Sequence, residues 1–203
     1  MFIAESSSIK IRHLLVEDVY AMRDWGKHDD PLFYDYNFPK LNDMEVKEWF
    51  NIKTGRKSKK CYSILDNFNR TIGYLTIKDI KKFKKSATLG IVFDPNFINK
   101  GFGTETINLF LDYFFNKIRM RTMYLEVAKF NKRALRCYKK CGFEIIDEYK
   151  EKIDNDDIRI YNLDKYVDTE YFFLEDGDIY CFLYQMKIEH KKFCEMREAL
   201  ASE

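Results

Sequence analysis

The segment Asp94-Pro95-Asn96-Phe97-Ile98-Asn99-Lys100-Gly101-Phe102-Gly103-Thr104 follows the apolar run Leu89–Phe93 and leads into a helix-period pattern. Ile107, Phe110, Leu111, Phe114, Phe115 and Ile118 fall on one face of a 3.6-residue repeat. A buried strand therefore opens into a loop with two glycines, and the loop becomes a helix N-terminus. Unpaired N–H groups and the positive end of the helix dipole converge there, so the junction reads as a phosphate cradle. A dinucleotide fingerprint is excluded because Thr106 stands where a third glycine belongs. A Walker loop is excluded because Lys100 precedes its glycine and no Gly-Lys-Ser/Thr ending follows. Taken alone, two such glycines more often mark a turn than a ligand site.

A second segment adds weight. Tyr124–Ala128 alternates like a strand, Asn131 sits where an N-cap belongs, a run of good helix formers follows, and Gly142 closes it as a C′ residue. Phe143 and Ile145-Ile146 then begin another strand. Residues 86–146 together resemble the GNAT superfamily of acetyl-CoA-dependent N-acetyltransferases, in the branch holding ribosomal-protein and polyamine enzymes. Gly101 and Gly103 match the family's glycine loop, and Asn131 matches its asparagine. Tyr138 lies seven residues further on, and Cys141-Gly142-Phe143 replaces the usual Leu-Gly-Phe ending. Ile98 departs from the Gln/Arg that opens the family's loop, and Thr88 stands where many relatives carry a glutamate.

The resemblance implies an α/β (α+β) fold, a mixed and mostly antiparallel twisted sheet with helices on both faces. Residues 1–203 would form a single domain with an atypical C-terminal extension or insertion at about 154–178. It further implies that the backbone of Ile91, Val92 and Phe93 pairs with the pantetheine arm of acetyl-CoA. N–H groups from Asn99, Lys100, Gly101, Phe102, Gly103 and Thr104 would surround its pyrophosphate, and Asn131 would touch the pantetheine. Tyr138 would protonate the departing thiolate, since a phenol can donate a proton. Glu126 would be the base; period two puts it on the face of Tyr124 and Ala128, opposite Leu125 and Val127. Asp35 and Asp79 are weaker bases. The expected reaction is direct attack of an amine on acetyl-CoA. The two departures also suit a non-catalytic acyl-CoA-binding module of the same fold.

Composition bounds the rest. A 203-residue chain with 46% hydrophobic residues can bury a core. It has no uninterrupted apolar run long enough to span a membrane. No targeting segment is visible, and the odd set Cys61, Cys137, Cys141, Cys181 and Cys194 suits reduced thiols, so a cytoplasmic location is expected. Neither these cysteines nor His13, His28 and His190 show metal-ligand spacing, so no metal is expected. Residues 144–178 carry net −9 while the whole chain carries +2 and residues 179–203 are balanced, leaving +11 on the first 143. Lys129, Lys132, Arg133, Arg136, Lys139 and Lys140 concentrate that charge beside the second motif. The phosphates of coenzyme A give such a rim a use, whereas no nucleic-acid motif accompanies it. The expected partner is a small-molecule amine or a peptide N-terminus, without nucleic acid or membrane; a homodimer stays open. The acidic segment can attract a cationic amine or simply face solvent.

Read for elements, the chain gives strands near 10–14, 61–65, 71–78, 87–93 and 123–128, and helices near 17–25 and from Asn42 or Asp43 to Gly55. Pro31–Pro39 reads as a loop. Asp176-Gly177 reads as a hairpin turn between two aromatic runs.

Overall fold

The computed structural model describes residues 1–153 and 170–201. Most of the segment expected as an insertion, 154–169, lies outside the described residues. The strands are β1 (Ala4–Glu5), β2 (Ile9–His13), β3 (Lys60–Asp66), β4 (Thr71–Lys81), β5 (Ser86–Phe93), β6 (Thr122–Ala128), β7 (Glu144–Ile153), β8 (Phe172–Glu175) and β9 (Asp178–Glu189). They form one sheet in the order β1-β2-β3-β4-β5-β6-β9-β7, with β8 paired to β9. Every pairing is antiparallel except that of β5 with β6.

That parallel pairing sets the site. It joins Ser86–Leu89 to Thr122–Leu125 and goes no further. Beyond it, β5 stays bonded to β4 as far as Phe93, and β6 stays bonded to β9 as far as Ala128. Each strand is held by its outer neighbour, so the middle of the sheet opens into a gap.

Period-two alternation distributes side chains to two cores. On one face α1 (Val16–Ala21), its 3-10 continuation Met22–Asp24, and α2 (Asp43–Thr54) cover Cys61, Tyr74 and Val92. On the other, α3 (Phe102–Asp112), α4 (Lys132–Lys140) and α5 (His190–Ala201) cover Tyr62, Leu75, Leu89, Met123 and Leu125. The start of α2 is Asn42: its side chain accepts from the Met44 and Glu45 N–H groups, and the Glu45 carboxylate accepts from the Asn42 N–H at 2.7 Å. No helix among the described residues is long and apolar enough to cross a membrane.

Two local expectations need correction. Ile107, Phe110, Leu111, Phe114 and Phe115 are buried as the pattern requires, but Ile118 is exposed. The last turn, Tyr113–Lys117, is a π-helix, with Ile118 N–H donating to Tyr113 C=O at 3.0 Å, and its extra residue rotates Ile118 off the apolar face. Pro31–Tyr36 is a 3-10 helix rather than a plain loop, started by Pro31 and capped by the Asp30 carboxylate on the Leu32 N–H. Past the hairpin the chain continues into α5. Its Phe193 packs on Phe115 at 5.4 Å between ring centroids, and its Met196 covers Gly142. Gly142 has φ +89 and a Cβ there would lie 2.2 Å from Met196 Sδ, so glycine answers both the turn and the contact. The hairpin itself forms as read, with Asp176 and Gly177 both at positive φ between β8 and β9.

Candidate active site

The gap between β5 and β6, the start of α3 and one wall of α4 enclose a cleft of about 960 Å³. Ile91, Val92 and Phe93 present their backbone edge along it, with β4 behind them. Asp94 anchors the loop that follows: its buried carboxylate accepts from the Asn96 and Gly26 N–H groups at 2.9 and 3.0 Å.

The cradle is built from backbone. Asn99 and Gly101 take positive φ (60° and 86°), and the first intrahelical bond of α3 runs from Glu105 N–H to Gly101 C=O at 3.2 Å. The N–H groups of Phe102, Gly103 and Thr104 precede that bond and carry the helix's positive pole. A Cβ on Gly101 would meet nothing within 4 Å, so glycine is needed there for its dihedral angle, and the loop stays open to a ligand. At Gly103 a Cβ would come 3.4 Å from Cys137 Sγ, which is how closely α3 packs on α4. Asn99, Gly101, Gly103 and Thr104 line the cleft, as does Ile98. Lys100 and Phe102 do not: the Lys100 ammonium lies 5.3 Å from the Phe97 ring centroid, and Phe102 packs on the same ring. Only their backbone groups remain available to the cradle.

Asn131 and Tyr138 form the opposite wall. The Asn131 side chain caps α4, accepting from the Ala134 N–H at 3.1 Å, and is also hydrogen-bonded to the Tyr36 hydroxyl. Tyr36 comes from the 3-10 helix and lines the cleft. Tyr138 is buried, 9% exposed, with its ring 5.9 Å from that of Phe143. Burial, reinforced by the neighbouring Tyr36 hydroxyl, pushes its phenol well above the usual tyrosine range, so it holds its proton.

Glu126 enters from β6 on the α1–α2 face, opposite Leu125 and Val127 as period two requires. Its carboxylate pairs with the Lys78 ammonium at 3.5 Å and accepts from the Tyr149 hydroxyl. Burial first, then the Glu126 charge, push Tyr149 up to about 12. Tyr138 thus borders the gap from one face of the sheet and Glu126 from the other. Neither Asp35 nor Asp79 lines the cleft. Cys137 does: Thr104 Oγ1 lies 3.4 Å from its sulfur, the Cys141 thiol donates to the Thr104 C=O at 3.7 Å, and the Cys137 thiol is pushed below the usual cysteine range, chiefly by the neighbouring Cys141. Among the described residues no three His, Cys, Asp or Glu side chains converge on a metal position.

The described part of the acidic C-terminal segment faces solvent. Glu148 pairs with Lys129, Glu175 with Lys150, Asp178 with Lys152 and Glu144 with Lys192, and none of these acids lines the cleft. Tyr149 and Lys78 carry no functional signal in the sequence, and Tyr36 lies in the Tyr34–Phe38 segment that resembles the ribosomal-protein and polyamine branch without being marked there individually.

A strand pair that splays beside a glycine-loop helix start, with a buried tyrosine on one side and a carboxylate on the other, has the layout of an acyl-CoA-dependent acetyltransferase. The chain matches the acetyltransferase (GNAT) domain family over residues 9–144 and belongs to that family. Spermidine N(1)-acetyltransferase of Vibrio cholerae is 26% identical over 138 residues, covering 68% of this chain and 80% of that protein. Acetyltransferase PseH of Campylobacter jejuni is 27% identical over 135 residues, covering 66% and 82%. The structure of the Vibrio cholerae spermidine N-acetyltransferase in complex with CoA and spermine shares this fold, with a TM-score of 0.69 at 23% identity, over 93% of this chain and 99% of that one. The sheet is the mixed, mostly antiparallel one expected of such enzymes.

Proposed function

We propose that this chain transfers the acetyl group of acetyl-CoA to the primary amine of a small molecule by direct attack. The observation that carries the reading is the end of β5–β6 pairing at Leu89 and Leu125, with Tyr138 and Glu126 on opposite faces of the gap. The backbone of Ile91–Phe93 receives the pantetheine arm as an added strand, and the N–H groups from Asn99 to Thr104 receive the pyrophosphate. The open space over Gly101 and the unpaired first turn of α3 fit that group. Arg133, Arg136 and Lys140, along the same wall, add positive charge. Asn131 is both helix cap and pantetheine contact.

The acceptor enters over the α1–α2 face as a neutral amine. Its nitrogen bonds to the acetyl carbonyl carbon and gives one proton to Glu126 as the carbon–sulfur bond breaks. Tyr138 gives its proton to the leaving sulfur, and solvent returns it. Cys137 stays outside the chemistry, at the cradle beside Thr104.

Thiol release from acetyl-CoA in the presence of a panel of amines, with CoA binding measured in parallel, tests this. Amine-dependent release that collapses in Tyr138→Phe is the expected result. CoA binding with no release across the panel would instead favour a non-catalytic module.

A further inference from the structure

The cleft continues past Tyr74 and Thr76 toward the C-terminal end of α2, and its walls there are cationic. Lys53, in the last turn of α2, sets its ammonium over two rings, 4.8 Å from the centroid of Trp49 and 5.2 Å from that of Tyr74. Those rings meet edge to face at 5.3 Å, so the ammonium rests on a fixed aromatic corner. Lys59 also lines the cleft, near enough that its charge opposes that of Lys53. Both lysines are half-buried. Among the described residues no carboxylate lies within 4 Å of either ammonium. Lys78 lines the same end, and Glu126, its partner, is the single carboxylate in the cleft wall among the described residues.

Half-buried ammonium groups without counterions are costly to hold together, and an anion brought between them relieves that cost. Burial and the Lys59 charge already hold Lys53 below the usual lysine range, in line with such a vacancy of negative charge. A linear polyamine would bring further ammonium groups against these lysines with one carboxylate to offset them.

We propose that the acceptor is an amine that also carries an anionic group, a carboxylate or a phosphate, seated by Lys53 and Lys59 while Glu126 receives its amine. This rests on the acetyltransferase reading above and narrows its substrate class.

Matched pairs test it: lysine against cadaverine, phosphoethanolamine against ethanolamine, and glucosamine 6-phosphate against glucosamine, with spermidine alongside. Rates of thiol release are measured together with calorimetric binding to the CoA-loaded protein. The expected result is that the anionic member of at least one pair exceeds its partner and spermidine by about tenfold in kcat/KM or affinity. Which pair responds separates carboxylate from phosphate. Lys53→Met and Lys59→Met should abolish the preference with the KM for acetyl-CoA unchanged, and Lys53→Arg should keep it. Equal or better use of spermidine or of the partners lacking an anion overturns the proposal, as does the absence of any anion preference in either measurement. A raised KM for acetyl-CoA in the lysine variants also overturns it, since the lysines would then serve the cofactor. Loss of CoA binding by the unmodified protein would be a failure of the acetyltransferase reading itself, visible before any acceptor is added.

Discussion

The Lys78 ammonium lies 3.5 Å from Oε2 of Glu126, reaching from β4 to β6 over the strand between them. The pair spans β5 on the α1–α2 face, and with the Tyr149 hydroxyl it fixes where the carboxylate sits. Glu126→Gln keeps the shape of the side chain and removes its capacity to take a proton. We expect kcat to fall about 100-fold with CoA affinity unchanged. Steady-state kinetics beside calorimetry decide it: a variant within a factor of about two of the parent kcat removes Glu126 from the base role.

In the proposed mechanism Tyr138 carries the opposite half of the proton transfer. Because burial pushes its phenol upward, it stays protonated through about pH 10, where an ordinary tyrosine is half ionised. Activity should therefore show no alkaline loss attributable to this phenol up to that pH. Tyr138→Phe should lower kcat about 100-fold and leave CoA binding intact. A decline in kcat centred on pH 10 that vanishes in Tyr138→Phe would contradict the assignment of a raised phenol.

The cradle makes a sharper demand on one glycine than on its neighbour. Gly101→Ala forces a side chain into a left-handed conformation at φ 86°, at a cost of about 1–2 kcal/mol, although nothing crowds the new methyl group. Gly103→Ala places its methyl at 3.4 Å from Cys137 Sγ, a contact met by a small shift. Denaturant melts should show Gly101→Ala to be the less stable of the two. If Gly103→Ala is the more damaging to stability, packing of α3 on α4 rather than loop conformation governs this corner.

Cys137 supplies a pH-dependent readout that does not depend on turnover. Its thiol is pushed below the usual cysteine range, so the thiolate, the reactive form, is present at lower pH than for an ordinary thiol. Alkylation by iodoacetamide, followed by peptide mass spectrometry, should rise at a lower pH than that of a free cysteine run alongside. Acetyl-CoA should slow it, because Cys137 lines the cleft. Cys61 and Cys181, buried and pushed up to about 12, should remain unlabelled. Labelling indifferent to acetyl-CoA would place the cofactor elsewhere.

A buried charge tests the fold away from the site. Asp18 accepts two bonds from the Arg12 guanidinium at 2.8 and 2.7 Å, and further bonds from the Leu15 N–H, Ser63 Oγ and Thr71 Oγ1. Asp18→Asn leaves the Arg12 charge without a counterion, and thermal unfolding should show a loss of about 3–5 kcal/mol. A loss under about 1 kcal/mol would mean that the pair is screened by solvent.

What the sequence discloses is local. Asn131 and Gly142 carry their caps in plain view, and the apolar face of α3 is legible as far as Phe115. The π-turn that displaces Ile118 is hidden, since a one-residue widening leaves no mark on a 3.6-residue pattern until the backbone bonds are known. The contact of Tyr36 with Asn131 and the place of Lys53 are hidden for a different reason. Their roles come from long-range apposition, of a 3-10 turn against Asn131 and of the end of α2 against Tyr74. The α5 helix goes unread because its core contacts rest on few side chains, Phe193 and Met196 foremost.

The position of β9 bears on the order in which the molecule can be made. It lies between β6 and β7, although both are synthesised before it. Until residues 178–189 leave the ribosome, the strand bearing Glu126 has only the short Thr122–Leu125 ladder to β5 to hold it. The carboxylate proposed as base is therefore among the last features to acquire its place, and a nascent chain halted before β9 carries the glycine loop without the proposed reaction centre.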